Sequence, residues 1–500
     1  MARFDFNPKP YRKILKNIIQ ALAAGKNYDK VLRRYPKSKT SIFTKAEIIQ
    51  ALRYFKQPIS LLGKPIRTLS GVVPVTLLTK PYPCPGQCIF CPNDVRMPKS
   101  YLPSEPGGQR AVANEFDPFR QVTSRLASYR ANNHPTDKIE LIILGGTWSA
   151  YPKKYQTWFI KRCFDALNTI TSRSLFKAQK INETAQNRCI GLSLETRPDW
   201  ITAQELIRFR TLGCTKVQIG IQSLSDRVLK LNHRGHTIEA TKKAIKLLRA
   251  FGFKIQAHWM ANLYGSTPEK DIQDFKKLFS QKWYRPDELK IYPCSLIATA
   301  ELMNYYSQGL WQPYTSAELL SVMKAILPLV PAYCRVSRMI RDFSGADIVI
   351  GNKTTNLRQI VETDIGPIQE IRSREIRNEP AENLTLKIIS YATSVGREKF
   401  LQYVTPDNHI CAFLRLSLPD KNTPAIIREL HVYGRSLNLK AKGKTQHLGL
   451  GAKLIQMAKV ISRRKHYRIL SVISSIGTRE YYRRFGFTDG ELYQNLKLVD

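Results

Sequence analysis

Six short runs recur through the middle of the chain: "GVVPVTLLT" (71–79), "KIELIILGG" (138–146), "CIGLSLET" (189–196), "KVQIGIQS" (216–223), "FKIQAHWM" (253–260) and "ELKIYP" (288–293). Each is short, apolar and followed by a stretch long enough for a helix, such as Thr202–Thr211 or Ile238–Phe251. Runs of this kind read as strands buried on both faces, which requires a parallel sheet with helices laid over it. Six strand–helix units suit a partial (β/α)6 barrel better than a doubly wound sheet. In either architecture functional side chains gather where the strands end.

At 500 residues the chain is too long for one ordinary core, and the regions flanking the barrel have a different texture. Residues 1–70 read as a small basic helical region. In "YRKILKNIIQALAAG" Ile14, Ile18 and Leu22 with Leu15 and Ile19 have helical spacing that stops at Gly25, and "NYDKVLRRYPKSKT" and "TKAEIIQALRYF" follow as short helices. The barrel is assigned to 71–335. An Arg-rich linker (Arg335, Arg338, Arg341) is assigned to 336–381, and an α+β domain to 382–500. That last domain reads as strands, including "AFLRLSL" and "IIRELHVYG", then a helix from Leu448 to Arg464, the strand "ILSVISS" and the short helix "TREYYRRF". The fold class is therefore α/β multidomain.

Charge restricts the partner. Lys and Arg number 79 against 39 Asp and Glu, a formal net charge of +40. Such an excess stores self-repulsion that a polyanion relieves by charge neutralisation and counterion release, so nucleic acid is the expected partner ahead of an anionic membrane surface. Tyrosines among the N-terminal cations could stack on bases. No run of about 18 uncharged apolar residues is present. The start, "MARFDFNPKPYRKILKN", lacks an apolar stretch and cleavage site, so a cytoplasmic protein without a membrane partner is expected. Six of the nine cysteines (Cys163, Cys189, Cys214, Cys294, Cys334, Cys411) are scattered singly among apolar neighbours and read as reduced core residues.

The other three crowd a loop. "YPCPGQCIFCPN" (82–93) places Cys84, Cys88 and Cys91 just past the first strand, among prolines and a glycine. Zinc takes four ligands in paired knuckles, and no second close pair of Cys or His follows. Three thiols spaced this way suit three corners of a 4Fe-4S cube, leaving one iron open. "CPGQCIFC" resembles the signature of radical S-adenosylmethionine (SAM) enzymes. The resemblance implies that the open iron chelates SAM, which is cleaved to a 5'-deoxyadenosyl radical. It also implies SAM contacts at strand ends from "LGGT" (Gly145, Gly146), "ETRPD" (Glu195, Arg197) and "GIQS" (Gln222).

In the third region "QHLGLGAKL" opens a helix. Gln446, Gly449, Leu450 and Gly451 would turn backbone amides at a helix N-terminus towards a pyrophosphate. Its place between "RELHVYG" and "SSIGTREYYRRFGF" makes the region resemble the GNAT acetyltransferase fold. That likeness implies acetyl-CoA binding by the loop and by Glu429, Leu430, His431 and Val432. It gives catalytic roles to His431, Tyr481 and Tyr482, with Tyr482 a proton donor at the thioester sulfur.

The ordered series, with "RTLSGV", "FDPF", "RGHT" and "LKIYP" besides, resembles the family of the Elongator catalytic subunit over nearly the whole chain. Membership implies a tRNA uridine acetyltransferase that forms 5-carboxymethyluridine at the wobble position from acetyl-CoA and SAM by radical chemistry. It further implies that Lys138 contacts acetyl-CoA, that Lys290 is catalytic, and that Arg33, Arg34, Arg234, His236 and Arg338 contact tRNA. Some relatives read "HMMPDLPG" where this chain has "HWMANLYG" (258–265). Relatives with a cysteine-rich linker hold zinc, whereas "PIQEIRSREI" has no cysteine, so no zinc is expected. The short cysteine spacing suits a bacterial or archaeal type that works without other Elongator subunits, and a homodimer stays open. A protein lysine acetyltransferase and a non-catalytic tRNA-binding relative are the alternative readings.

Overall fold

In the computed structural model, residues 6–58, 71–377, 380–420, 423–433 and 449–498 are described. The N-terminal region folds into three helices, α1 (Arg12–Ala23), α2 (Tyr28–Arg34) and α3 (Lys45–Tyr54). They close over a small core of their own built on Leu15, Ile18, Leu32, Phe43 and Ile48. Local chemistry sets the ends. Gly25 takes φ +75° after α1, the Asn27 side chain caps α2, and Thr44 with Glu47 forms a capping box at α3. Arg53 Nη2 donates to the Arg130 carbonyl at 2.8 Å, tying this module to the barrel.

The barrel sheet is parallel throughout. Strands β1 (Val72–Leu78), β2 (Lys138–Leu144), β3 (Arg188–Thr196), β4 (Lys216–Gln222), β5 (Lys254–Ala261) and β6 (Glu288–Pro293) run in chain order. Beside β6 lies a further strand, β8 (Arg335–Arg338), after a two-residue strand β7 (Leu296–Ile297) that pairs outside the sheet with β9 (Ile348–Ile350). The half-barrel thus has seven strands, where the sequence suggests six. Its last strand, "RVSR", is short and charged and carries no strand signal of its own. The described residues of the stretch 336–381 fold onto this edge, where the buried Glu370 accepts from the Val336 N–H at 2.8 Å and ion-pairs with Arg358.

The strands are not apolar on both faces. Val217, Ile219 and Ile221, Ile255, Ala257 and Trp259, and Leu289 and Ile291 point at the helices and are fully buried. The alternate positions Lys216, Gln218, Gln222, Lys254, Gln256, His258, Glu288 and Lys290 line the interior of the half-barrel. The lumen is therefore polar, the opposite of a filled hydrophobic barrel.

The C-terminal domain is a second sheet. Strands β10 (Thr385–Thr393), β11 (Gly396–Val404), β12 (Ile410–Pro419) and β13 (Ala425–Val432) are antiparallel neighbours. After the helix Leu450–Arg464, β14 (Ile469–Val472) returns parallel to β13, and β15 (Thr488–Asp489) and β16 (Gln494–Lys497) finish the edge. β13 and β14 pair only over Ala425–Ile427, after which β13 continues to Val432 paired with β12 alone and a wedge opens between β13 and β14. No helix among the described residues is long and apolar enough to cross a membrane.

This sheet docks under the barrel, against the loops that precede its strands. Tyr493 Oη donates to the Phe251 carbonyl at 2.8 Å and Arg210 Nη2 to the Leu492 carbonyl at 2.7 Å. At the centre of the joint lies a buried charge network. Asp287 of the barrel pairs with Arg428, while Glu398 pairs with Arg428 at 2.6 Å and with Arg249 at 2.9 Å. Arg415 pairs with Glu429 at 2.8 Å, and Lys254 bridges Glu288 at 2.7 Å and Glu429. Asp287, Glu398, Arg249, Arg415 and Arg428 are all at most 1 % exposed. Burial alone would raise the Asp287 carboxyl, but Arg428, Arg415 and Arg249 together hold it well below the usual carboxylate range.

Candidate active site

A cavity of about 1090 Å³ runs between the two lobes. Its upper wall carries Cys84, Cys88 and Cys91 with Gly146, Glu195, Arg197 and Gln222. Its waist carries Gln218, His258 and Lys290, and its lower wall carries Glu429, Leu430, His431 and Tyr482. The thiol loop and the wedge of the C-terminal sheet thus share one space.

The loop is held from behind by two arginines. Arg234 Nη1 donates to Cys88 Sγ at 3.2 Å and its Nη2 to the Gly220 carbonyl at 2.6 Å. Arg197 Nη2 donates to the Arg234 carbonyl at 2.7 Å, and Arg197 pairs with Asp199 at 3.0 Å. Its Nη1 is buried without a partner, and a Cβ at Gly86 would fall 2.1 Å from it, so a larger residue there would have to push the guanidinium aside. All three loop cysteines are free thiols.

Two of the expected tRNA contacts lie deep. Arg234 and His236 are each 7 % exposed, and neither offers an open outer surface. Burial, then Arg234 and Arg197, pushes the His236 imidazole down to about 2, and it stays neutral. Arg33 and Arg34 are exposed at the end of α2, and Arg338 lies at the cavity wall, paired with Asp342.

Across the waist runs a hydrogen-bonded row. Tyr101 Oη donates to Glu195 Oε2 at 2.6 Å, and His258 stands with Nδ1 3.6 Å from Glu195 Oε1 and Nε2 3.3 Å from Gln218 Oε1. Lys290 Nζ donates to that same Gln218 oxygen at 2.5 Å. Burial, with Arg338 adding to it and Glu195 opposing it, lowers the Lys290 ammonium to about 7. Burial first, and the charge of Lys290 next, holds His258 neutral. Of this row the sequence singles out Glu195 and Lys290. Gln218, His258 and Tyr101 are missed, although the polar positions recurring every second residue in "KVQIGIQ" and "KIQAHWM" signal a wetted strand face.

The remaining candidates divide by position. Gly145 (φ +148°) and Gly146 (φ +82°) end β2, and a Cβ at Gly145 would strike Thr79. Gly449 caps the helix Leu450–Arg464 in the left-handed region, and Leu450 is buried. A Cβ at Gly451 would lie 2.5 Å from Tyr481 Oη, so Tyr481 packs on the start of that helix while Tyr482 faces the cavity. Val432 Cγ2 lies 3.7 Å from the same Cβ position, at ordinary contact distance. Lys138 begins β2 beside Arg188, against which Gly477 of the C-terminal domain packs. Gln446 lies outside the described residues.

Comparison with known proteins agrees with this arrangement. The Radical SAM superfamily matches residues 82–279 and the Radical_SAM C-terminal domain matches residues 286–365. The chain is 39 % identical to the tRNA uridine(34) acetyltransferase of Dehalococcoides mccartyi, covering 84 % of this chain and 96 % of that one. It is 37 % identical to the enzyme of the same name from Methanocaldococcus jannaschii over 97 % of each. It is 33 % identical to human Elongator complex protein 3 over 95 % of this chain and 94 % of that one. The solved structure of the archaeal Methanocaldococcus infernus Elp3 with an N-terminal deletion superposes with a TM-score of 0.75 at 34 % identity, covering 86 % of this chain and all of that one. Identity of this order over nearly the full length of its relatives places the chain in the Elp3-type tRNA uridine(34) acetyltransferase family of the radical SAM superfamily.

Proposed function

We propose that this chain converts the wobble uridine of tRNA to 5-carboxymethyluridine, with acetyl-CoA as acyl source and SAM as radical source. The observation that carries the reading is the single cavity joining the thiol loop to the wedge at Tyr482. Cys84, Cys88 and Cys91 would hold a 4Fe-4S cluster, and the donor set fits: three free thiols on one wall, backed by buried guanidinium groups that offset thiolate charge. Gly145, Gly146, Glu195, Arg197 and Gln222 would receive SAM, the Oε1 of Gln222 being buried without a partner. Bound together, the cluster and SAM supply a 5'-deoxyadenosyl radical, which the unactivated methyl of an acetyl group needs before it can add to a uracil carbon.

The chain's own groups do the rest. Glu429 to Val432, Gly449, Leu450 and Gly451 frame the wedge for acetyl-CoA, with Lys138 near its outer edge and Gln446 completing the proposed loop. Tyr482, whose phenol burial keeps protonated, would give a proton to the departing thiolate sulfur, with His431 also lining the cavity and Tyr481 bracing the helix start. Lys290, at the waist, would orient the uracil ring through its Nζ. Arg33, Arg34 and Arg338 remain the proposed tRNA contacts.

The direct test is anaerobic reconstitution with iron and sulfide, addition of tRNA, SAM and acetyl-CoA, and mass spectrometry of the digested tRNA. Modified uridine is expected. Acetylated lysine without it would replace this reading with a protein acetyltransferase.

Two further outcomes follow from the site. Gly86→Ala should displace Arg197 and lower the iron bound per chain after reconstitution, with the melting temperature nearly unchanged; full iron loading would show that the loop has another path. Lys290→Met should lower turnover by roughly 10²-fold, the range for a positioned proton-bearing group. In the parent the Lys290 charge titrates near 7, so the ammonium form is lost as pH rises through that value, and turnover should change there. A pH profile of Lys290→Met that keeps the parent's inflection would remove Lys290 from the reaction.

A further inference from the structure

We propose that Arg234 sets the reduction potential of the metal cluster on the thiol loop, by holding a buried cation and an N–H donor against the Cys88 sulfur. This rests on the reading of Cys84, Cys88 and Cys91 as the 4Fe-4S ligands.

The guanidinium is fixed at both ends of its fork. Nη1 reaches Cys88 Sγ at 3.2 Å and Nη2 reaches the Gly220 carbonyl at 2.6 Å. The backbone is fixed too: the Arg234 N–H donates to the Leu229 carbonyl at 2.9 Å, and the Arg234 carbonyl accepts from Arg197 Nη2. Asp199, its acidic neighbour, is taken up by Arg197, so the charge of Arg234 is directed at sulfur. Position 220 is shaped for it, because a Cβ there would fall 2.7 Å from Nη2. The residue is 7 % exposed, and Cys88 is 6 % exposed.

One-electron reduction adds a negative charge to a cluster on three thiolates. The electron comes from an external low-potential one-electron donor, and no proton moves and no bond breaks in that step. A buried cation and an N–H···S hydrogen bond both favour the more negative state, and in a site of low dielectric neither is screened. Arg234 therefore makes the cluster easier to reduce. Arginine suits the task because its planar fork spans sulfur and carbonyl together, which a lysine point charge does not.

The test is an EPR-monitored redox titration of reconstituted parent, R234M and R234Q. In both variants the ratio of reduced to oxidised cluster at a fixed solution potential should fall at least tenfold, a shift of about 59 mV for one electron. R234Q keeps an amide donor for the Gly220 carbonyl and guards against a folding failure. A parent-like potential in either variant that carries an intact cluster overturns the proposal. So does loss of the cluster from both variants, since the guanidinium would then serve assembly. Absence of any cluster from the reconstituted parent would instead defeat the reading of the thiol loop itself.

Discussion

Replacing Cys88 by alanine should abolish 5-carboxymethyluridine formation while tRNA affinity and melting temperature stay near those of the parent. The thiol is one of three that line the cavity, and the other six cysteines are buried and do not line it, Cys294 included although it shares a core with Cys88. Removing a sulfur from this wall costs on the order of 1 kcal/mol in packing. The site should therefore fail chemically long before the fold does. Nucleoside mass spectrometry, a filter-binding assay with tRNA and a thermal melt report the three quantities separately. Product formed at a rate within tenfold of the parent would exclude the radical reading.

The largest effect on stability is expected at Arg428. Its guanidinium joins Asp287 of the barrel to Glu398 of the second sheet, all three fully buried. Arg428→Met leaves two carboxylates short of charge in the interior, a loss of about 3–5 kcal/mol for breaking one side of a buried pair. Denaturant titration would measure it, and a change below 1 kcal/mol would mean that the network is relaxed by water. The acid limb supplies a second check. Asp287, Glu288 and Glu429 titrate below their ordinary range in the fold, each pulled down by its cationic partners against burial. Their contribution is present above the unfolded carboxylate range and is lost as pH falls through the folded values. Parent stability should thus drop steeply below about pH 4. R428M, whose Asp287 is less depressed, should drop less.

What could be read in the sequence depended on whether a residue's role was local. The N-terminal helices are written in the spacing of Leu15, Ile18 and Ile19 and in the Thr44–Glu47 pair, and the structure follows them closely. The barrel strands are legible because each one's helix-facing residues are strongly apolar. The polar lumen shows only when "KVQIGIQ" and "KIQAHWM" are read every second residue. "RVSR" gives no cue, since its place in the sheet is decided by β6. Arg234 looks like a surface cation in "RGHT", and its burial is dictated by a sulfur 146 positions earlier. The ion network joins residues as far apart as Lys254 and Glu429, 175 positions along the chain, and no local pattern records it.

That network sits at the seam between the lobes, with its cations and carboxylates supplied from both sides. Cut at residue 381, the N-terminal fragment would expose Asp287 and Arg249 to water, and the remainder would expose Arg415, Arg428 and Glu398 in the middle of a sheet face. Each fragment would keep a pair of its own, Asp287 with Arg249 and Glu398 with Arg428, but would lose the partner across the seam that completes it, Arg428 for Asp287 and Arg249 for Glu398. Gene fusion or domain exchange at this point would therefore be selected against, and the two catalytic halves should descend together as one unit.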